Sequence, residues 1–90
     1  MDSFRILWKS SSEHDIKRID RQYIPRILDA VEALATNPFP SWSRKLKGLY
    51  RSYRIRIGLY RVIYQVDTTE KIITVYHVRH RKDAYSSPFE

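Results

Sequence analysis

The chain has 90 residues, 42% of them apolar and 13% aromatic, with a formal net charge of +7 and a pI near 9.9. One domain on a modest core fits that length, so a single functional site is expected, and the charge points to a polyanionic partner: nucleic acid, ribosome, an acidic protein or an anionic membrane surface. The absence of Cys excludes disulfides, a thiol nucleophile and zinc-thiolate sites.

Phe4, Ile6 and Trp8 alternate with Arg5 and Leu7, which predicts a short first strand buried on at least one side. Ser10 followed by Glu13 has capping-box spacing and predicts a polar surface helix over residues 11–20. Its apolar stripe is thin, Ile16 and Ile19, and Glu13 and Lys17 form a supporting i,i+4 pair. Pro25 fits the first turn of a second helix, in which Ile24, Ile27, Leu28, Val31, Leu34 and Ala35 recur with helical period and face the core. Asn37-Pro38 and Pro40 end it, and residues 38–43 read as a loop leading to Lys45, Leu46 and Gly48.

From Leu49 the period becomes two. Strands over residues 50–57, 60–66 and 71–79 form a meander, with turns at Gly58-Leu59 and over 68–70. The facing of the third strand stays open, because Ile72, Tyr76 and Val78 compete with Ile73, Val75 and His77 for the core. The expected fold is α+β in the order β-α-α-β-β-β. Two N-terminal helices pack on one face of a small, mostly antiparallel sheet in a single domain over residues 1–90. The tail, 86–90, is expected to be mobile.

The Gly58-Leu59 turn carries the most information. Gly at the first turn position suits a type II′ hairpin, which pairs Ile57 with Tyr60, Ile55 with Val62 and Arg56 with Arg61, and leaves Arg54 one step along the same face. Like charges opposed in a sheet cost up to about 1 kcal/mol, which is tolerable on a solvated face or where an anion sits between them. A second basic cluster, His77 to Lys82, shifts the weight toward an anion site. Lys45, Lys47 and Arg51 suit contact with an RNA backbone that does not choose sequence.

Other constellations carry less. His14, His77 and His80 lack metal-ligand spacing, so no metal and no cofactor is expected. Asp67, Glu70 and Asp83 are scattered and support no paired-carboxylate mechanism. Trp8 and Trp42 read as core and loop packing. No apolar run approaches the ~18 residues of a membrane span, and the start, Met1-Asp2-Ser3-Phe4-Arg5, lacks a signal-peptide plan; a cytoplasmic location is the expectation.

The segment Tyr53-Arg-Ile-Arg-Ile-Gly-Leu-Tyr-Arg-Val-Ile-Tyr64, followed by His80-Arg-Lys-Asp-Ala-Tyr85, resembles the RelE branch of the RelE/ParE toxin superfamily. Element order and size fit over nearly the whole chain. The resemblance implies the toxin of a type II toxin-antitoxin system that enters the ribosomal A site, cleaves mRNA without metal and is silenced by a cognate, RelB-like antitoxin. It further implies that Arg54, Arg56, Arg61, Arg81 and Tyr85 carry the activity.

Those residue types suit the chemistry. Attack of a ribose 2′-OH on the adjacent phosphate builds charge on five-coordinate phosphorus, which fixed arginines stabilise, and single-stranded RNA is held by stacking on aromatic rings such as Tyr85. Some relatives carry Lys where Arg54 or Arg56 stands; Arg stays protonated and is a poor general base. His80 is the one group of the cluster whose ordinary titration lies near neutrality, and relatives with a C-terminal His in acid-base work make it a candidate. Its bland role is a cap at the end of the last strand. Two rivals stand beside the nuclease: a ParE-type gyrase inhibitor of the same fold, and a non-catalytic RNA-binding module.

Overall fold

The computed structural model describes residues 3–84. The chain runs β1 (Arg5–Trp8), α1 (Ser10–Lys17), a 3₁₀ turn (Arg21–Tyr23), α2 (Ile24–Ala33), β2 (Arg44–Lys45), β3 (Ser52–Ile57), β4 (Tyr60–Asp67), β5 (Ile72–His80) and α3 (Arg81–Ala84). The strands form one sheet in the order β1-β5-β4-β3-β2, with β1 parallel to β5 and every other pair antiparallel. The expected α+β architecture is present, with two short additions, β2 and α3, that the sequence reading left out.

Helix α1 begins differently from the capping-box expectation. Lys9 occupies the N-cap position and no side chain caps the helix. Lys9 is still tied to the sheet, its N–H donating to the Val75 carbonyl at 2.9 Å, so the chain turns into helix one residue before Ser10 could serve as cap. Ser12, wholly buried, instead donates its hydroxyl to the Lys9 carbonyl at 2.6 Å.

Nor is α1 a bystander on the surface. Strand β1 pairs with β5 only as far as Val75, which would leave the later half of β5 with an open edge. Ser11 donates its hydroxyl to the Tyr76 carbonyl at 2.7 Å, and the carboxylate of Asp15, one turn on, accepts the Val78 N–H at 3.0 Å. Two side chains at i,i+4 thus satisfy backbone groups that would otherwise invite a foreign strand.

Helix α2 has Pro in its first turn and buries Ile27 and Val31, with Leu34 just past its end, while Leu28 stays exposed on its flank. These meet Ile55, Ile57, Tyr60, Val62, Tyr64, Val66, Ile73, Val75 and Val78 of the sheet. Each fully buried aliphatic side chain contributes roughly 1.5–3 kcal/mol. Tyr64 donates its hydroxyl to the Pro38 carbonyl at 2.8 Å, pinning the loop after α2 to the core. Burial pushes its phenol up to about 12; the Ser43 side chain pulls the other way and Tyr53 adds a smaller upward push.

The ambiguous facing of the last strand has a physical answer. Against β4, Ile63 pairs with His77 but Tyr64 pairs with Val75, so Tyr76 is an extra residue and the strand changes parity there. Ile73 and Val75 face the core before the bulge, and Val78 faces it after. Each competing set therefore holds for part of the strand, Ile73 and Val75 from one and Val78 from the other. Strand β3 starts at Ser52, not Tyr50, because Arg51 takes a left-handed φ of 53° that no strand residue adopts; Lys71, at 59°, sets the start of β5 in the same way.

Candidate active site

The β3–β4 hairpin has the expected register, Ile57 with Tyr60, Arg56 with Arg61 and Ile55 with Val62. Gly58 carries a φ of +59° while Leu59 does not enter the positive region, the pattern of a type II′ turn. A side chain at Gly58 would be strained, and a Cβ there would lie 3.9 Å from Nη1 of Arg26 on α2. Another basic group therefore stands beside the turn.

Strand β5 extends the opposed pair. Arg61 also pairs with Arg79, so Arg56, Arg61 and Arg79 form one rung across three strands, on the sheet face opposite the core. Arg54 lies two residues along the same face, between Arg44 of β2 and Ile63 of β4. The tip of the hairpin then acquires Arg81: its backbone N–H donates to the Leu59 carbonyl at 2.7 Å, which fixes the start of α3 over the turn.

A cleft of about 220 Å³ results, lined by Arg56, Gly58, Leu59, Tyr60, Arg61 and Arg81. Arg61 is only 5% exposed, so its charge acts with little intervening water. Tyr60 forms one wall, its ring held between Tyr23 at 5.6 Å and the edge of His80 at 5.4 Å. Three fixed cations on one concave surface suit a phosphate: arginines grip its oxygens in pairs and need no reorganisation as charge develops.

The remaining candidates fall into different places. His80 is not in the wall of this cleft: its Nδ1 accepts the Lys82 N–H at 3.2 Å, capping α3, and its ring borders a neighbouring recess with Arg18 and Arg79. Tyr85 and the tail 86–90 lie outside the described residues. Lys45, Lys47 and Arg51 line a separate hollow of about 520 Å³ with Tyr50, which is 72% exposed. Arg51 pairs there with Asp67 at 3.5 Å and lies 4.7 Å from the centre of the Tyr50 ring.

Asp67 also accepts the N–H groups of Thr69 and Glu70, so it builds the β4–β5 turn. Trp8 packs against the core as expected, whereas Trp42 stands half exposed and departs from the packing role read for it. Among the described residues no group of three His, Cys, Asp or Glu is placed to hold a metal ion, and no helix is long and apolar enough to cross a membrane.

Arg44 and Arg26 were missed by the sequence reading, and Arg79 entered it only within the His77 to Lys82 cluster, without its place in the rung. Arg79 was within reach of it: continuing the hairpin register into the next strand would have placed it beside Arg61, had the bulge been recognised. Arg44 sits in a two-residue strand without a period, and Arg26 reaches the turn from another element; neither leaves a local signal.

Comparison with known proteins agrees with this fold. Residues 6–85 match the family described as ParE toxin of type II toxin-antitoxin system, parDE. A Methanocaldococcus jannaschii protein named RelE1 is 34% identical over 77 residues, covering 82% of this chain and 86% of its own length. The RelE-RelB complex of Pyrococcus horikoshii superposes with a TM-score of 0.77 at 26% identity, covering 88% of this chain and 96% of that one. The RelB-RelE complex from Methanococcus jannaschii gives 0.74 at 26% identity, covering 89% and 95%. With the strand order and these relatives in agreement, the chain belongs to the RelE/ParE superfamily and is a type II toxin-antitoxin toxin of the RelE family.

Proposed function

We propose that this toxin is a ribosome-dependent endoribonuclease that cleaves mRNA in the A site, and that a RelB-like antitoxin silences it. The observation that carries the reading is the cleft itself, where Arg56, Arg61 and Arg81 converge with Arg79 on the adjoining strand. Relatives solved as RelE-RelB complexes support the partner.

In this reading the scissile phosphate of the message sits in the cleft. The 2′-oxygen attacks the adjacent phosphorus and loses its proton, the bond to the 5′-oxygen breaks, and that oxygen gains a proton. A 2′,3′-cyclic phosphate and a 5′-hydroxyl end result. Arg54, Arg56 and Arg61 neutralise the charge that builds on the phosphoryl oxygens, and Arg81 stands toward the leaving oxygen. These arginines keep their protons, so their part is electrostatic and orienting. A domain of this size offers few groups to bend a message into line, and the ribosome supplies that positioning.

The matched family is described as ParE toxin, and the second reading is the ParE-type one, inhibition of DNA gyrase by protein contact. One experiment separates the two: the same message is offered with and without programmed ribosomes, and gyrase supercoiling is assayed in parallel. Cleavage on the ribosome alone supports the nuclease. Equal rates with free RNA would make it a conventional ribonuclease, and blocked supercoiling without cleavage would select the gyrase inhibitor.

A further inference from the structure

Three arginines on one rung repel one another, and long side chains at the end of such a row escape toward water unless something holds them. Arg79 is the end of this row, and what holds it comes from another element. Its Nε lies 3.3 Å from Oδ2 of Asp15, a carboxylate that is only 11% exposed. Its Nη2 lies 3.0 Å from Nδ1 of His77. Nδ1 of His77 lies 3.2 Å from the same Asp15 oxygen, so the ring and the guanidinium converge on one carboxylate.

We propose that Asp15 is a positioning residue of the active site: from α1 it fixes the direction of the side chain of Arg79, the last member of the rung begun by Arg56 and Arg61. The inference rests on the nuclease reading for its effect on turnover, although the positioning itself can be measured without it. Asp15 meets the Nε side of the guanidinium as an ion pair without hydrogen-bond geometry, and His77 stands against Nη2. Asp15 thereby removes one unit of positive charge from the anion-binding row while fixing its geometry. These two effects push binding and turnover in opposite directions, which a merely structural acid would not do.

The test uses Asp15→Asn, Arg79→Ala and the double variant in the full chain. Asn keeps a carbonyl for the Val78 N–H, so the strand edge stays capped. Three quantities are measured: kcat and KM for ribosome-programmed cleavage, thermal melting, and the proton-nitrogen NMR signal of Arg79 Nε in the protein without RNA. Asp15→Asn should lower kcat by about 10- to 100-fold with KM unchanged or lower, since small misplacements at a reacting centre have effects of that size. It should also broaden or shift the Arg79 Nε signal, and cause no further loss in the Arg79→Ala background.

An unchanged Arg79 signal overturns the proposal, and so does a kcat loss that adds in full to that of Arg79→Ala or only tracks the melt. Should the unaltered chain not cleave on ribosomes, the nuclease reading fails. The NMR comparison then decides the positioning by itself, a response of Arg79 Nε supporting it and silence overturning it.

Discussion

Arg56 and Arg61 face each other across the β3–β4 hairpin, two like charges on one rung of a sheet, with Arg79 as the next member of the rung. Such an arrangement is a cost to folding, and it locates the residues whose removal separates stability from activity most cleanly. Arg56→Ala should leave stability unchanged or raise it by up to about 1 kcal/mol. Arg61 is buried, so Arg61→Met, which keeps the length of the apolar stem, is the matching variant. Both should lower ribosome-programmed cleavage by about 10²-fold or more. Arg51→Ala, in the separate hollow, should change binding more than turnover. Denaturant melts paired with cleavage rates check this; clear destabilisation with a merely proportional loss of activity would make the arginines structural.

Cleavage through the message's own 2′-oxygen predicts that a single 2′-deoxy sugar at the cut site abolishes product. Mapping the ends of the cleaved message should show a cyclic phosphate on one fragment and a 5′-hydroxyl on the other. A deoxy message that is still cut would end this mechanism.

The basic face also predicts how an antitoxin would arrive. A segment that covers the arginine rung and carries acidic residues should associate more slowly as salt rises, with dissociation changing far less. Stopped-flow association at several salt concentrations measures this. A salt-insensitive rate would place the dominant contact on apolar surface elsewhere.

Tyr64 predicts an alkaline limit to stability. Its phenol ionises near 10.0 in the unfolded chain and at about 12 in the folded one, so unfolding is unaffected below the lower value. Between the two, the unfolded state loses the proton first, and stability falls by about 1.4 kcal/mol per pH unit, about 3 kcal/mol in all. Tyr64→Phe loses the hydrogen bond to Pro38 and should be about 1 kcal/mol less stable at neutral pH. The gap between the two proteins should close above pH 10, as followed by denaturant melts across that range. A gap that stays constant would assign the alkaline loss to other groups.

Much of this site is legible in the sequence because a two-residue turn propagates its register. Once Gly58 fixes the turn, the pairing of Arg56 with Arg61 follows from alternation alone, and so does the facing of Ile55, Ile57, Tyr60 and Val62. Legibility ends where a residue's place depends on another element. Arg81 owes its position to a backbone hydrogen bond with Leu59, Arg26 reaches the turn from α2, and Asp15 meets Arg79 from a helix more than sixty positions away in the chain. The short strand β2 offers only two basic residues and no period. The capping box failed for a related reason: the chain around Lys9 was already committed to the sheet.

The extra residue at Tyr76 has a consequence for how this toxin can change. With Ile73 and Val75 directed inward, an uninterrupted strand would also turn His77 and Arg79 into the apolar interior and carry Val78 out to the basic face. One surplus residue therefore works as a frame setter: it lets the same strand serve the core over its first half and the anion-binding row over its second. Drawing Tyr76 into the regular ladder would exchange the two populations beyond it in a single step, whereas deleting it would bring His77 next to Val75 and leave both facings as they are. Lineages can then vary the arginines one at a time, but they can lose the irregularity only together with the surplus residue that causes it.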